Sequence, residues 1–377
     1  MPHLVAIDLP GGPNWVAALQ RVWDRGDAVL PVDRRLPAPA KAALLAAMAP
    51  TRVLDADGEH VLEGGVPSEA GDALVMATSG STGTPKGVVL THAAVAASAV
   101  ATSRRLATSA ADTWLACLPL AHVGGLSVVT RALHTGADLV VHDGFDALAV
   151  EAAARAGATA VSLVATALTR VDASLFRVIV LGGARPPAAT PANTHTTYGL
   201  TETGSGVVYD GRPLDGVEVR LEPDQEILLR GPMLMRGYRD GSSAIDADGW
   251  LHTGDLGEWN PDGTLHVRGR RGDLVITGGE NVWPEVVEAV LATHPGVLHS
   301  AVAGVPDAEW GQRLEAWVVP SATPPSLAEL RAHVRAQLPA FCAPKALHLV
   351  PDLPRTALGK IQRHLLASLT VGSDKGR

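Results

Sequence analysis

The stretch "TSGSTGTPKG", residues 78–87, gathers glycines, hydroxyl side chains and one lysine into a single short loop. Glycines let backbone N–H groups approach a ligand with no Cβ in the way, and Ser and Thr hydroxyls add further donors. Lys86 adds a full positive charge. Together they suit a polyphosphate. The apolar run "ALVMA" ahead of the loop reads as the strand that carries it. A Walker A loop is excluded, because Pro85 stands where its second glycine belongs and Gly87 where its metal-binding hydroxyl belongs. Taken alone, the stretch also suits a surface turn that happens to contain a lysine.

The elements around the loop alternate. Short apolar runs at 73–77, 114–118, 138–142, 158–164 and 177–181 read as strands covered on both faces. Helical patterns fall at 14–25, 39–48, 92–106, 125–134 and 146–156. This rhythm predicts an α/β fold with mainly parallel sheets flanked by helices. After Gly199 the texture becomes β-rich, with a strong turn signal at Pro261-Asp262-Gly263. Past "GRRGD" a second pattern begins. It comprises a strand at 274–277, a helix at 284–293, strands near 298–304 and 313–319, and a helix opened by Ser326 and Glu329 at capping-box spacing. The chain therefore divides into a large domain, 1–270, with a β-rich subdomain, and a small mobile α+β domain, 271–377.

Composition narrows the function. At 377 residues, 46% hydrophobic and 19% charged, the chain is globular rather than disordered. A net charge of −8 argues against a nucleic-acid partner. The two cysteines, Cys117 and Cys342, form no CxxC pair, which argues against a disulfide framework or a zinc site and fits a reducing cytosol. The N-terminus lacks the basic and apolar segments of a signal peptide. No stretch reaches the ~18 apolar residues of a membrane span. A cytoplasmic protein acting on small molecules, without membrane insertion, is expected.

Four further segments follow the loop in order: "YGLTET" at 198–203, "WLHTGD" at 250–255, "GRRGDLVITGGENVWPEVVE" at 269–288 and "PRTALGK" at 354–360. The five together resemble the motifs of the adenylate-forming superfamily, which includes acyl-CoA synthetases, peptide-synthetase adenylation domains and luciferases. The resemblance implies the adenylate-forming fold, Mg²⁺ as cofactor, and ATP and CoA as co-substrates. Thr78, Ser79, Gly80, Ser81, Thr82, Gly83 and Lys86 would hold the β- and γ-phosphates. Tyr198 and Gly199, with the turn Gly182-Gly183-Ala184, would meet adenine. Thr201 would touch the α-phosphate and Glu202 would hold the metal. Asp255, with Arg270 beside it, would bind the ribose, and Lys360 would bridge the acid and the α-phosphate. Gly272 would be the hinge that later brings Gly278 and Gly279 to the thiol. Blander readings stand beside these: Glu202 as a turn cap, Asp255 as a solvated turn carboxylate, Lys360 as an ordinary surface lysine, and Arg270 and Arg271 as surface charges at a domain boundary, the reading preferred for Arg271.

Within the superfamily, "LPLAHVGGLSVVTRAL" at 118–133, "SLVATALTR" at 162–170 and "TYGLTETGSGVVYDGRPLDGV" at 197–217 are similar to short-form 2-succinylbenzoate–CoA ligases of menaquinone biosynthesis. Their substrate is an aromatic keto-diacid. The resemblance implies adenylation of that acid with pyrophosphate release, then thioester formation with CoA and release of AMP. It places His122 at the mouth of the acyl pocket, as a gate, a packing residue or an acid–base group, with Gly125 in the following helix. The acid's second carboxylate calls for a cation, and Arg131 and Arg170 are candidates, with solvent-facing helix arginines as the alternative. Only 77 residues precede Thr78, fewer than in most relatives, so the large domain is expected to be N-terminally shortened, with a homodimer left open. Other readings are a different acyl- or aryl-CoA ligase, a carrier-protein-loading enzyme, or a non-catalytic nucleotide-binding protein.

Overall fold

The segments "LVAI" and "AVLP" are buried at every position and form the parallel strands Leu4–Ile7 and Ala28–Pro31. The computed structural model describes residues 1–79, 85–184, 186, 187, 189–355 and 361–370. Two compact units are formed. One comprises Met1–Glu222, Ile227–Thr253 and Trp259–Leu265; the other comprises Pro223–Glu226, Gly254–Glu258 and His266–Arg377.

The first unit is built on two seven-stranded sheets. In one, Asp72–Ser79 lies parallel to Ala28–Pro31 and antiparallel to Pro85–Thr91, on which the short strand Gly237–Tyr238 is laid. In the other, Asp138–Val141, Thr113–Ala116, Ala160–Leu163, Val178–Leu181 and Thr194–Leu200 run parallel, with Ser205–Tyr209 and Arg212–Pro213 antiparallel at the edge. The helix His92–Leu106 matches its expected bounds, because Thr91 accepts a hydrogen bond from the Ala94 N–H (3.1 Å) and Ala107 ends it in a left-handed conformation.

Two features depart from the sequence reading. Pro85 to Thr91 form a strand antiparallel to Asp72–Ser79, which the sequence reading did not include ahead of the helix. The strands before residue 72 also escape the pattern. They are four residues long, and Arg52–Asp55 and Gly58–Val61 are only partly buried or exposed. A period-based reading has little to count there.

The second unit carries an antiparallel hairpin, Val297–Asp307 with Gly311–Pro320, flanked by Val275–Thr277 and by the parallel strand Ala346–Leu349. The helix Leu327–Arg335 opens on the expected reciprocal cap. Ser326 Oγ accepts from the Glu329 N–H (3.3 Å) and the Glu329 carboxylate accepts from the Ser326 N–H (2.7 Å). Arg363 is held by carboxylates from two elements: Glu288 at 2.8 Å and Glu285 at 3.0 Å on the helix Pro284–Leu291, and Asp273 at 3.4 Å.

Burial pushes the Glu288 carboxyl up from its ordinary 4.5 to about 7, against the pull of Arg363. A carboxyl with a raised folded value binds its proton more tightly when folded. Its contribution to stability is therefore full below 4.5 and lost as pH rises through about 7. The native chain is expected to lose melting temperature relative to a Glu288→Gln variant as pH rises from about 5 to about 8. Parallel melting curves across that range would refute the assignment.

Candidate active site

The hairpin sets Thr78 opposite Lys86, and the Thr78 hydroxyl donates to the Lys86 carbonyl at 3.3 Å. Lys86 therefore stands at the base of the loop on a strand. Its ammonium lies 4.7 Å from the centroid of the Tyr238 ring. The Tyr238 hydroxyl in turn donates to Glu202 Oε1 at 2.9 Å. Gly80, Ser81, Thr82, Gly83 and Lys360 lie outside the described residues, as does the side chain of Ser79.

Thr201 and Glu202 occupy a short 3-10 turn, Thr201–Thr203, closed by the Gly204 N–H on the Thr201 carbonyl (3.0 Å). The buried Thr203 hydroxyl accepts from the Leu200 N–H (2.9 Å) and donates to the Ser205 carbonyl (2.7 Å). Thr203, rather than Glu202, thus orders the turn. The Met235 N–H holds the Glu202 carbonyl at 2.7 Å. Tyr198 and Gly199 lie on the preceding strand, where a Cβ on Gly199 would sit 2.3 Å from the Ser205 carbonyl oxygen. Glycine there is a requirement of the hairpin itself. Gly182, Gly183 and Ala184 follow the strand Val178–Leu181.

The three acyl-side candidates separate. His122 is the N-cap of the helix Val123–Thr135, half-buried, with Nε2 3.4 Å from Asp33 Oδ2. Burial lowers its basicity more than Asp33 restores it, which suits a neutral packing or gating ring better than an acid–base group. Gly125 is buried against the carbonyls of Leu118 and Pro119. Arg131 corrects the solvent-facing alternative. It is 1% exposed, stacked 4.5 Å over Trp114, and among the described residues its Nε and Nη1 have no hydrogen-bond partner. Burial depresses its guanidinium's affinity for the proton. Arg170 keeps to the blander reading, exposed and lying over Phe145 at 5.1 Å.

In the second unit, Arg270 Nε lies 4.0 Å from Asp255 Oδ1. Arg271 is exposed and paired with Asp224 (2.9 Å) and Glu226 (3.1 Å), as its surface reading expects. Gly272 sits in the turn Arg271–Asp273 with open space where a Cβ would be, so steric need does not explain the glycine. Gly278 and Gly279 have φ of 59° and 84°. The Gly278 N–H donates to the Trp310 carbonyl (2.9 Å), and a Cβ there would meet the Trp310 ring at 2.7 Å. Lys345 Nζ lies 4.1 Å over the same ring. The residues flanking Lys360 are tied down: Arg355 and Ile361 form a β-bridge.

The family model of AMP-binding enzymes matches residues 65–239, and that of their C-terminal domain matches residues 286–360. A probable 2-succinylbenzoate–CoA ligase of Mycobacterium tuberculosis is 40% identical over 327 residues, covering 80% of this chain and 85% of its own. The chain belongs to the AMP-binding enzyme family. Its fold is that of the o-succinylbenzoate CoA synthetase of Bacillus subtilis in complex with the acyl-adenylate intermediate OSB-AMP. That likeness has a TM-score of 0.87 at 30% identity over 97% of this chain and 88% of the other. The same enzyme in complex with ATP and a magnesium ion gives 0.86 at 29% identity, over 97% and 89%.

For an AMP-binding enzyme of this kind, sequence reasoning overlooked two aromatic residues beside the candidate site. Tyr238 links Lys86 to Glu202, and Trp310 packs on Gly278. Neither stands in one of the five motif segments. The one available signal was scarcity, since the chain holds three tyrosines and one of them is Tyr198.

Proposed function

We propose that the chain is a 2-succinylbenzoate–CoA ligase. The observation that carries this reading is the likeness to the synthetase holding OSB-AMP. An oxygen of the acid's carboxylate forms a bond to the α-phosphorus of ATP while the bond to the β-phosphate bridging oxygen breaks, releasing pyrophosphate. The CoA sulfur then attacks the acyl carbon and AMP leaves. The acid is already ionised at neutral pH, so the first step needs no general base. It needs positive charge, because two anions must meet.

Lys86 supplies that charge on the phosphate side, with Thr78, Ser79, Gly80, Ser81, Thr82 and Gly83 as donors around the β- and γ-phosphates. Lys360 screens the acid from the α-phosphate, and Thr201 donates to the latter. Tyr198 and Gly199, with Gly182, Gly183 and Ala184, receive adenine, and Asp255 with Arg270 receives the ribose. Glu202 would hold magnesium, which when bound neutralises phosphate charge as a Lewis acid. The donor set fits: Mg²⁺ takes one or two carboxylates together with phosphate oxygens, and the Tyr238 hydroxyl engages Glu202 through Oε1. Gly278, Gly279 and Trp310 border the approach of the thiol. Arg131 offers its Nε and Nη1, without hydrogen-bond partners among the described residues, to the second carboxylate of the acid.

No described helix is long and apolar enough to cross a membrane, and both cysteines are buried and free. We place the enzyme in the cytoplasm on its soluble substrates.

The test is a panel of acids with ATP and Mg²⁺, read by pyrophosphate release and by mass spectrometry of the acyl-adenylate. Release is expected with the aromatic keto-diacid, and thioester only after CoA is added. Thioester from medium-chain fatty acids but not from the keto-diacid would replace this reading by another acyl-CoA ligase. Arg131→Met in the same assay should raise KM for the keto-diacid about 10–100-fold and leave KM for ATP unchanged. It should not destabilise the chain much, since an apolar side chain of similar length replaces a buried unpaired charge. An unchanged KM for the acid would make Arg131 a purely structural residue.

A further inference from the structure

We propose that Tyr238 is a positioning residue that keeps Lys86 and Glu202 apart and each aimed at its own part of the nucleotide. This rests on the reading that both serve ATP and its metal. A lysine and a glutamate within reach of one another tend to close into an ion pair, which would spend both charges before the ligand arrives. Here Tyr238 stands between them. Its ring takes the ammonium at 4.7 Å, an attraction that leaves the N–H donors and the positive charge in place for phosphate. Its hydroxyl takes Glu202 Oε1 at 2.9 Å, fixing the carboxylate plane while Oε2 meets no other donor among the described residues. No described carboxylate lies within ion-pair distance of Lys86. The acidic group that does feel it, Asp240, is occupied by the Ser242 hydroxyl (2.6 Å) and N–H (2.9 Å).

The segment that carries Tyr238 is fixed from both sides. Its backbone is zipped onto the strand of Lys86, with the Arg236 N–H on the Val89 carbonyl (2.9 Å) and the Arg239 N–H on the Gly87 carbonyl (2.7 Å). Arg236 is paired with Asp72 (3.0 Å) and Glu69 (2.7 Å). Arg239 donates to the carbonyls of Met48 (3.3 Å), Pro67 (2.8 Å) and Val66. Gly87 makes the close approach feasible, since a Cβ there would sit 2.9 Å from Arg239 Cβ and 2.6 Å from Met48 Sδ. A surface tyrosine would not need such anchoring on either flank.

The experiment is calorimetric titration of ATP into the full chain without acid, so that no turnover occurs, across a Mg²⁺ series. Tyr238→Phe keeps the ring and removes the hydroxyl. It should raise the Mg²⁺ concentration that half-saturates ATP binding about tenfold, the usual effect of losing a partner that orients a metal ligand, and leave Mg²⁺-free ATP affinity unchanged. Tyr238→Leu also removes the ring and should weaken Mg²⁺-free ATP binding about two- to fivefold. Tyr238→Phe with native Mg²⁺ dependence and native melting would overturn the proposal, provided Glu202→Gln shifts that dependence. If Glu202→Gln leaves it unshifted as well, the metal assignment of Glu202 falls first.

Discussion

Replacing Lys360 by alanine should lower acyl-adenylate formation by about 10²–10³-fold, the range seen when one group aimed at developing charge is removed, or about 2.7–4 kcal/mol. The effect is electrostatic. The nucleophile is a carboxylate and the target a triphosphate, and a cation between them acts where repulsion is greatest. The thioester step differs, because its electrophile is an acyl-adenylate and the repulsion is already resolved. Thioester formation from supplied acyl-adenylate should therefore stay within about threefold of native. The residues around Lys360 make a folding defect an unsuitable explanation. Arg355 and Ile361 pair as a β-bridge, and Arg363 is gripped by Glu288, Glu285 and Asp273. Measuring the half-reactions separately decides the matter: equal losses in both would remove the assigned role.

Glu202→Gln should cost about 10²-fold in adenylation at low Mg²⁺, with partial recovery as Mg²⁺ is raised. Glutamine keeps the volume and one carbonyl oxygen for the Tyr238 hydroxyl, so the turn Thr201–Thr203 and the Met235–Glu202 backbone contact should survive. What it loses is the charge that a hard cation prefers. The pyrophosphate assay over a Mg²⁺ series, with melting curves as control, reads the effect. Native activity at low Mg²⁺ would show that Glu202 is only a turn residue.

Much of the candidate site was legible because its residues are neighbours in the chain. Glycines, hydroxyls and Lys86 fall within one short stretch of sequence, Thr201 and Glu202 within one turn, and Ser326 with Glu329 within one cap. Short spacing gives residue type a direct structural meaning. The alternation after residue 110 was readable for a related reason, since strands such as Val178–Leu181 are apolar at every position. The helices at 14–25 and 39–48 were readable too, but the strands before residue 72 were not, because each is four residues long and Arg52–Asp55 and Gly58–Val61 are only partly buried or exposed, which leaves no period to detect. The sequence leaves Arg131 open between a cation for the acid and a solvent-facing helix residue. Its burial depends on Trp114 and on the packing of its whole helix, and a charged residue in a helical pattern looks solvated until its neighbours are known.

Order and type of the motifs, through their resemblance to the adenylate-forming superfamily, were enough to point to an adenylating chemistry, since the residues expected to meet phosphate and metal are close neighbours in the chain. Tertiary structure alone decided that Tyr238, 36 positions beyond Glu202, should stand between that carboxylate and Lys86. Contacts of this kind arise when separate segments pair across a sheet, and a single chain read in order holds no periodic or local signal of which segments those will be.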